Sequence, residues 1–302
     1  MLDDLLQRFR RRDRNALARL LTMAARGEHV DAILQGAGAP ARPARVVALT
    51  GGGGVGKSTL AGKLVEQARA HGLTVAVLAC DPQSPLTGGA LLGDRFRMPA
   101  RPDDDGVFIR SLAAAAGRGA TAEHLGALIR LCEAFGFDVV LVETVGAGQG
   151  DTAVRALVDV LVLLLQPETG DDLQWEKAGL LEVADAVVIH KADMPGAERV
   201  EAQVLATLSL SAGPTPPILR VSARTGDGVE ALWAALAACP LRRTGRHGGA
   251  ELLRLAQETL AARFAAARTG EGLQNLLIRW RGGELDATQA VAALLHLLEN
   301  PS

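Results

Sequence analysis

The chain has 302 residues, 48% hydrophobic and 22% charged, with a formal net charge of -2. Such a chain can bury a core and is long enough for one large domain with extensions or two modest domains. The slight acidity argues against a general nucleic-acid binder, and 3% aromatics with no tyrosine leave few platforms for stacking single strands.

In chain order, the first 35 residues space Leu2, Leu5, Leu6, Phe9, Leu17, Leu20 and Leu21 three and four apart, which predicts helices. The stretch "RFRRRDR" within them reads as a solvated helix face. The opening "MLDDLLQRFRRRDR" has no apolar signal-peptide core. The longest apolar run, around Leu161 to Leu165, is far short of the ~18 residues a membrane span needs. A cytoplasmic protein without membrane contact is expected. Cys80, Cys132 and Cys239 are odd in number and widely separated, which fits packing residues in a reducing compartment.

"QGAGAPARPAR" (35–45) is a Gly/Pro/Ala-rich linker, so 1–44 reads as a helical extension with its linker. Short Val/Ile/Leu runs follow at 45–50, 74–80, 138–144, 159–165, 185–190 and 218–223, with helical spacing between most of them. Continuous apolar strands alternating with helices predict an α/β domain over 45–240, a mostly parallel sheet between helices. Residues 241–302 carry amphipathic runs and no strand signal. Such an arm packs on the α/β domain or on a second subunit, and a dimer arm is the favoured reading.

"GGGGVGKS" follows a predicted strand and opens a predicted helix, the context that makes G-x-x-x-x-G-K-[ST] a P-loop. Backbone N–H groups of Gly51, Gly52, Gly53, Gly54, Val55 and Gly56 would close around phosphates at the helix N-terminus. Lys57 would reach the β- and γ-phosphates, Ser58 would ligate Mg²⁺, and Thr59 would sit near the α-phosphate. Asp81 ends the next strand, where ligands of open α/β sheets bind, and a Gly/Ser/Thr-rich tract containing Asp94 follows. Both acids are candidate Mg²⁺ partners, with helix capping as the other reading of each. Glu143 ends an otherwise apolar strand, and a carboxylate there calls for a nearby cation. Gly146 could offer its N–H to a γ-phosphate. Gln149 could position water or face solvent.

"VIHKAD" then suggests a guanine clamp. Asp193 can accept hydrogen bonds from guanine N1 and N2, which adenine cannot supply in that arrangement. The stem of Lys191 can cover the face of the base. "SARTGDG" follows one strand later, and its Ser222, Ala223 and Arg224 are placed like the second guanine loop. His190 stands where an asparagine usually ties the base loop to the P-loop; a structural histidine with one hydrogen bond is the favoured reading.

With these segments in view, the sequence resembles the MeaB/MMAA (formerly ArgK) family of G-protein chaperones for adenosylcobalamin-dependent acyl-CoA mutases. "RNALARLLTMAARG", "DPQSPLTGGALLGDRFRM", "FIRS", "VETVGAGQGD", "QPETGDDLQWEKAGLLEVAD" and "HKAD" carry the resemblance over most of the chain. It implies a SIMIBI-class P-loop GTPase using GTP/GDP and Mg²⁺. Such a protein gates cobalamin loading onto a mutase and removal of inactivated cofactor, with an adenosyltransferase as a further candidate partner. It also implies a third switch over 167–179, a part for Lys177 in mutase-stimulated hydrolysis, and a homodimer through the helical tail. The chain departs from the pattern at Gly53 (often Pro), at 111–120, at Asp151 (usually Glu) and at His190. Two alternatives are a ParA/MinD-like positioning ATPase, whose signature lysine would fall at Gly52, and a nickel-delivery GTPase, for which no His- or Cys-rich tract is present.

Overall fold

Seven runs rich in branched apolar residues form a parallel sheet: β1 (Arg45–Gly51), β2 (Val75–Pro82), β3 (Val107–Ala114), β4 (Val139–Glu143), β5 (Val160–Leu165), β6 (Ala186–His190) and β7 (Ile218–Val221), in the order β3-β2-β4-β1-β5-β6-β7. The structure is a computed structural model and describes residues 2–82, 104–114, 120–144, 154–167, 175–210, 215–242, 264 and 271–299. For 80–82, 112–114, 120–123, 175–178, 271 and 298–299 it describes the backbone element only. The chain divides into two compact units, Met1–Thr244 and Gly245–Ser302.

In the first unit the helices are α1 (Leu2–Arg10), α2 (Arg14–Ala25), α3 (Val30–Ala37), α4 (Lys57–Ala70), α5 (Ala120–Phe135), α6 (Trp175–Val183), α7 (Ala197–Leu208) and α8 (Val229–Ala238). Successive strand residues point to opposite faces, so a strand buried on both sides needs apolar residues at every position. β1 shows this directly. Val46 and Ala48 join one core with Leu17, Leu20, Leu21, Ile129 and Phe135, whereas Val47 and Leu49 join another with Leu60, Leu64, Leu232 and Trp233. One face therefore carries α1, α2, α3 and α5; the other carries α4 and α8. Farther along the first face, α6 and α7 cover β5 and β6 through Leu180, Val200 and Val204 against Leu163 and Ile189.

The N-terminal helices are thus one layer of the sandwich. Four of the six phenylalanines meet in this layer: Phe135 lies 5.4 Å from Phe9 and 5.5 Å from Phe137, and Phe137 lies 6.0 Å from Phe108. Arg10, Arg11 and Arg12 of the arginine-rich stretch are exposed, as expected of a helix face, and Arg8 and Arg14 are half-buried, but most of these arginines are tethered. Arg8 pairs with Asp13, Arg10 donates to the Gly36 carbonyl and Arg12 to that of Ala134. Arg14 bonds the Val107 carbonyl and lies over the Phe108 ring. Solvation alone does not account for these side chains; they fasten the N-terminal layer to its neighbours.

β3 is a strand that hydrophobic runs do not reveal, because Arg110 and Ser111 interrupt the pattern after Ile109. It lies at the sheet edge, where one side of the strand is unpaired and polar residues are tolerated. There Arg110 donates to Thr22 Oγ1 at 2.5 Å. Cys132 is fully buried and its thiol is pushed far up by burial, so it packs as a small apolar residue.

The second unit contains α9 (Glu271–Arg281) and α10 (Ala287–Glu299), joined by a tight turn at Gly282 and Gly283. Ile278, Trp280, Val291 and Leu295 are exposed on this pair. Among the described residues no helix is long and apolar enough to cross a membrane.

Candidate nucleotide-binding site

β1 is the central strand, and the loop after it lies at the C-terminal edge of the sheet, where open α/β folds bind ligands. Two glycines set its path. Gly51 has φ +143°, and a Cβ there would come within 2.4 Å of the Leu164 carbonyl oxygen on β5. Gly56 has φ +96° and would drive a Cβ to 2.5 Å from His190 Cε1. Only glycine combines that backbone with that approach. Gly56 is also the N-cap of α4 and has no side chain, so the N–H groups of the first turn point into the loop, suited to phosphate oxygens.

Lys57 is buried at the helix start, and its ammonium donates to the carbonyls of Gly51 (2.9 Å) and Gly52 (3.2 Å). The loop is thereby curled around the charge that would meet a β- or γ-phosphate. The next residue, Ser58, donates through Oγ to Glu143 Oε1 at 2.7 Å, and both residues are 6% exposed. Glu143 stands beside Leu49 of β1 in the ladder register. Two sequence-distant candidates for the magnesium site therefore touch. A hydroxyl and a carboxylate are hard oxygen donors of the kind Mg²⁺ takes, with waters and phosphates completing its shell. Among the described residues no group of three or more His, Cys, Asp or Glu could hold a metal alone. The pair fits a magnesium held jointly with nucleotide. Thr59 is exposed on α4. Asp81 lies two residues beyond Ala79, which pairs with Glu143, so its backbone shares the same edge of the sheet.

The base end starts where β6 stops. His190 is 3% exposed, and its Nδ1–H donates to the Val55 carbonyl of the P-loop at 2.7 Å. A carbonyl only accepts, so this bond fixes the neutral tautomer with hydrogen on Nδ1. Nε2 is then a bare acceptor, buried with no hydrogen-bond partner among the described residues. Burial holds the ring's pKa below its usual value, partly opposed by the Val55 bond. The expected tie between base loop and P-loop is therefore made, by an imidazole.

Lys191 adopts the left-handed conformation at φ +56°, uncommon for a side chain with a Cβ and found at strained functional turns. The turn is held by Ala192 N–H donating to the Val221 carbonyl and Met194 N–H donating to that of Lys191. Asp193 follows. Its Oδ1 accepts from Ser222 Oγ at 2.5 Å, and its Oδ2 accepts from Arg224 Nε at 2.9 Å and Nη2 at 2.5 Å. The Ser222 hydroxyl bond, followed by the Arg224 guanidinium, holds this carboxyl below the usual carboxylate range. Ser222 Oγ also accepts from Thr225 N–H, and Ala223 is buried beneath the loop.

The structure thus brings Lys57, Ser58 and Glu143 together at one end, and Asp193, Ser222 and Arg224 at the other, with His190 tied to the P-loop. Asp94, Gly146, Gln149 and Asp151 lie outside the described residues, as do the side chains of Asp81 and Lys177; Lys177 is on the backbone of α6. The pair of hydrogen bonds from Arg224 to Asp193 has no sequence signal, because 31 residues and a helix separate them.

Comparison with known proteins agrees with this geometry. The family described as "Methylmalonyl Co-A mutase-associated GTPase MeaB" matches residues 17–269. A protein named as a GTPase in Pyrococcus horikoshii is 41% identical over 239 residues, covering 77% of this chain and 75% of that one. The mouse protein named methylmalonic aciduria type A homolog, mitochondrial, is 40% identical over 194 residues, 62% of this chain and 47% of its own. The Escherichia coli GTPase ArgK is 39% identical over 201 residues, 64% of this chain and 60% of its own. A crystal structure described as LAO/AO transport system kinase aligns over 99% of this chain and 98% of its own, with a TM-score of 0.63 and 25% identity. The P-loop at the end of β1, the parallel sheet and these relatives lead to one conclusion: the chain is a P-loop GTPase belonging to the MeaB family.

Proposed function

We propose that this GTPase is a Mg²⁺-dependent chaperone for an adenosylcobalamin-dependent acyl-CoA mutase, gating entry of the cofactor and removal of its inactivated form. The observation that carries the guanine reading is the Asp193 carboxylate. It is fixed by Ser222 at the end of a loop that His190 ties to the P-loop. A carboxylate so placed can accept guanine N1–H and N2–H, whereas adenine presents no matching pair of donors to it. The mutase association rests on the family's description and on the mouse relative.

In this reading Lys57 and the N–H groups of the P-loop would hold the phosphates, and Ser58 and Glu143 would hold the magnesium. When bound, the ion supplies charge neutralisation across the phosphoryl oxygens. Glu143 orients the Ser58 hydroxyl through its 2.7 Å bond and would supply negative charge to a cation bound there. Asp81 and Asp94 are further candidates around the ion, Gly146 for the γ-phosphate and Gln149 for the attacking water. Lys177 is proposed to act only when a mutase docks. The exposed Ile278, Trp280, Val291 and Leu295 support a helical arm that pairs two subunits, since apolar side chains gathered on two helices mark association surfaces.

The test is GTP turnover with and without an adenosylcobalamin-dependent acyl-CoA mutase from the same genome. Slow intrinsic hydrolysis should accelerate at least about tenfold, about 1.4 kcal/mol of transition-state stabilisation. Lys177→Ala should abolish the acceleration and retain GTP binding. A rate that no acyl-CoA mutase changes would remove the chaperone role and leave the GTPase.

A further inference from the structure

Asp193 is the carboxylate proposed to read the base, and its two oxygens are not equally committed. Oδ1 accepts one hydrogen bond, from Ser222, while Oδ2 accepts two, from Nε and Nη2 of Arg224. A carboxylate oxygen has two lone-pair directions. Oδ1 can take one more donor, whereas Oδ2 is full. Guanine presents N1–H and N2–H side by side and needs one acceptor site on each oxygen. The two demands conflict at Oδ2.

The chemical likeness is close. A guanidinium edge and the N1/N2 edge of guanine are both planar pairs of N–H donors on an amidine carbon, spaced to meet a carboxylate. We infer that Arg224 is an internal competitor for the guanine clamp: its guanidinium takes the Oδ2 acceptor positions that guanine requires and must release them as the base seats. The residue is suited to moving. Its side chain is 77% exposed, whereas that of Asp193 is 14% exposed, so the arginine can swing into water while the acid stays in place. Ser222 is not displaced, because its single bond to Oδ1 leaves room for N2–H.

The exchange also sharpens base choice. Guanine replaces the bonds that Arg224 gives up, so the carboxylate stays satisfied. Adenine replaces none of them, and any approach that dislodges the arginine leaves Oδ2 without a donor. Arg224 therefore acts on selectivity and on the binding step, and it is a positioning residue without contact to the phosphates. The inference rests on the guanine reading of Asp193, and its test separates the two.

GDP, ADP and inosine diphosphate affinities are measured by calorimetry for the full chain and for Arg224→Ala and Arg224→Gln. An exposed ion pair is a weak competitor, so both variants should bind GDP about twofold to fivefold more tightly than the parent. ADP affinity should not rise. Inosine diphosphate, whose N1–H meets the same Oδ2, should gain about as much as GDP. In a second arm methylguanidinium chloride is titrated against tetramethylammonium chloride at equal ionic strength. Methylguanidinium should weaken GDP binding to Arg224→Ala more than to the parent, whose own arginine already fills the position. If GDP affinity is unchanged or falls in both variants while GDP still outbinds ADP, the competitor role is overturned and the clamp survives. If the parent binds GDP and ADP alike, both readings fall.

Discussion

The phosphate end and the base end of this site are built on opposite electrostatic terms. At the phosphate end Lys57, Ser58 and Glu143 are all at or below 7% exposure, and each has short bonds to its neighbours. Buried charges of this kind cannot exchange partners with water, so removing one leaves the others costly. At the base end Asp193 is reached from solvent by an arginine whose side chain is 77% exposed. Interactions there are screened and replaceable. Under the proposed function the ends would have separate tasks: a fixed cradle would supply affinity for any nucleotide, and an exchangeable clamp would choose the base. His190 belongs to both, because it sits at the end of β6 and donates into the P-loop.

This contrast can be broken by substitution, starting with the largest effect. Lys57→Ala removes the only ammonium in the described loop and should weaken GDP and ADP alike by about 100-fold or more, since charge-assisted phosphate bonds contribute about 1.5–3 kcal/mol each. Calorimetric titration with both nucleotides checks this, and a loss confined to GDP would contradict the division of labour. Asp193→Asn should act on selectivity. GDP affinity should fall by about 10- to 100-fold, on the scale of one bidentate base contact, with ADP unchanged. Xanthosine diphosphate, which has a carbonyl where guanine has an amine, should gain, because the new amide can donate to it. If GDP and ADP fall together, the clamp assignment is wrong.

The smallest effect tests the bridge. His190 has a folded pKa below its ordinary 6.5 because burial disfavours the charged ring. The unfolded chain therefore binds more protons between the depressed value and 6.5. The stabilisation is complete above about pH 6.5 and is lost as pH falls through the folded pKa. Melting temperature should decline over that window more steeply in the parent than in His190→Asn. The asparagine amide can still donate to the Val55 carbonyl but does not titrate. Equal acid slopes in the two proteins would show that His190 is not the titrating group.

Much of this site was legible in the sequence, for physical reasons specific to each segment. "GGGGVGKS" encodes its conformation locally: glycines permit the positive φ at Gly54 and Gly56, and the lysine and serine necessarily open the helix that follows. "VIHKAD" was equally readable as a strand running into a charged loop. The departure at His190 and its single structural hydrogen bond were visible, but the atom it would bond was not, because that is a backbone carbonyl 135 residues earlier. β3 escaped the hydrophobic pattern since an edge strand does not need both faces apolar. The arginine stretch looked solvated because a helix face shows its charges and not what they reach. Arg12 and Arg14 reach residues 122 and 93 positions away.

By itself the sequence determined the α/β class and the phosphate loop, and it pointed to Asp193 as the acid proposed to read the base. These depend on local spacing, backbone freedom and side-chain chemistry. Only the tertiary structure decided that the N-terminal helices form a layer of the sheet's core, that Ser58 meets Glu143, and that Arg224 lies on Asp193. Each of those facts depends on contacts between segments far apart in the chain. Such contacts arise from packing a two-faced sheet, and no local pattern carries them.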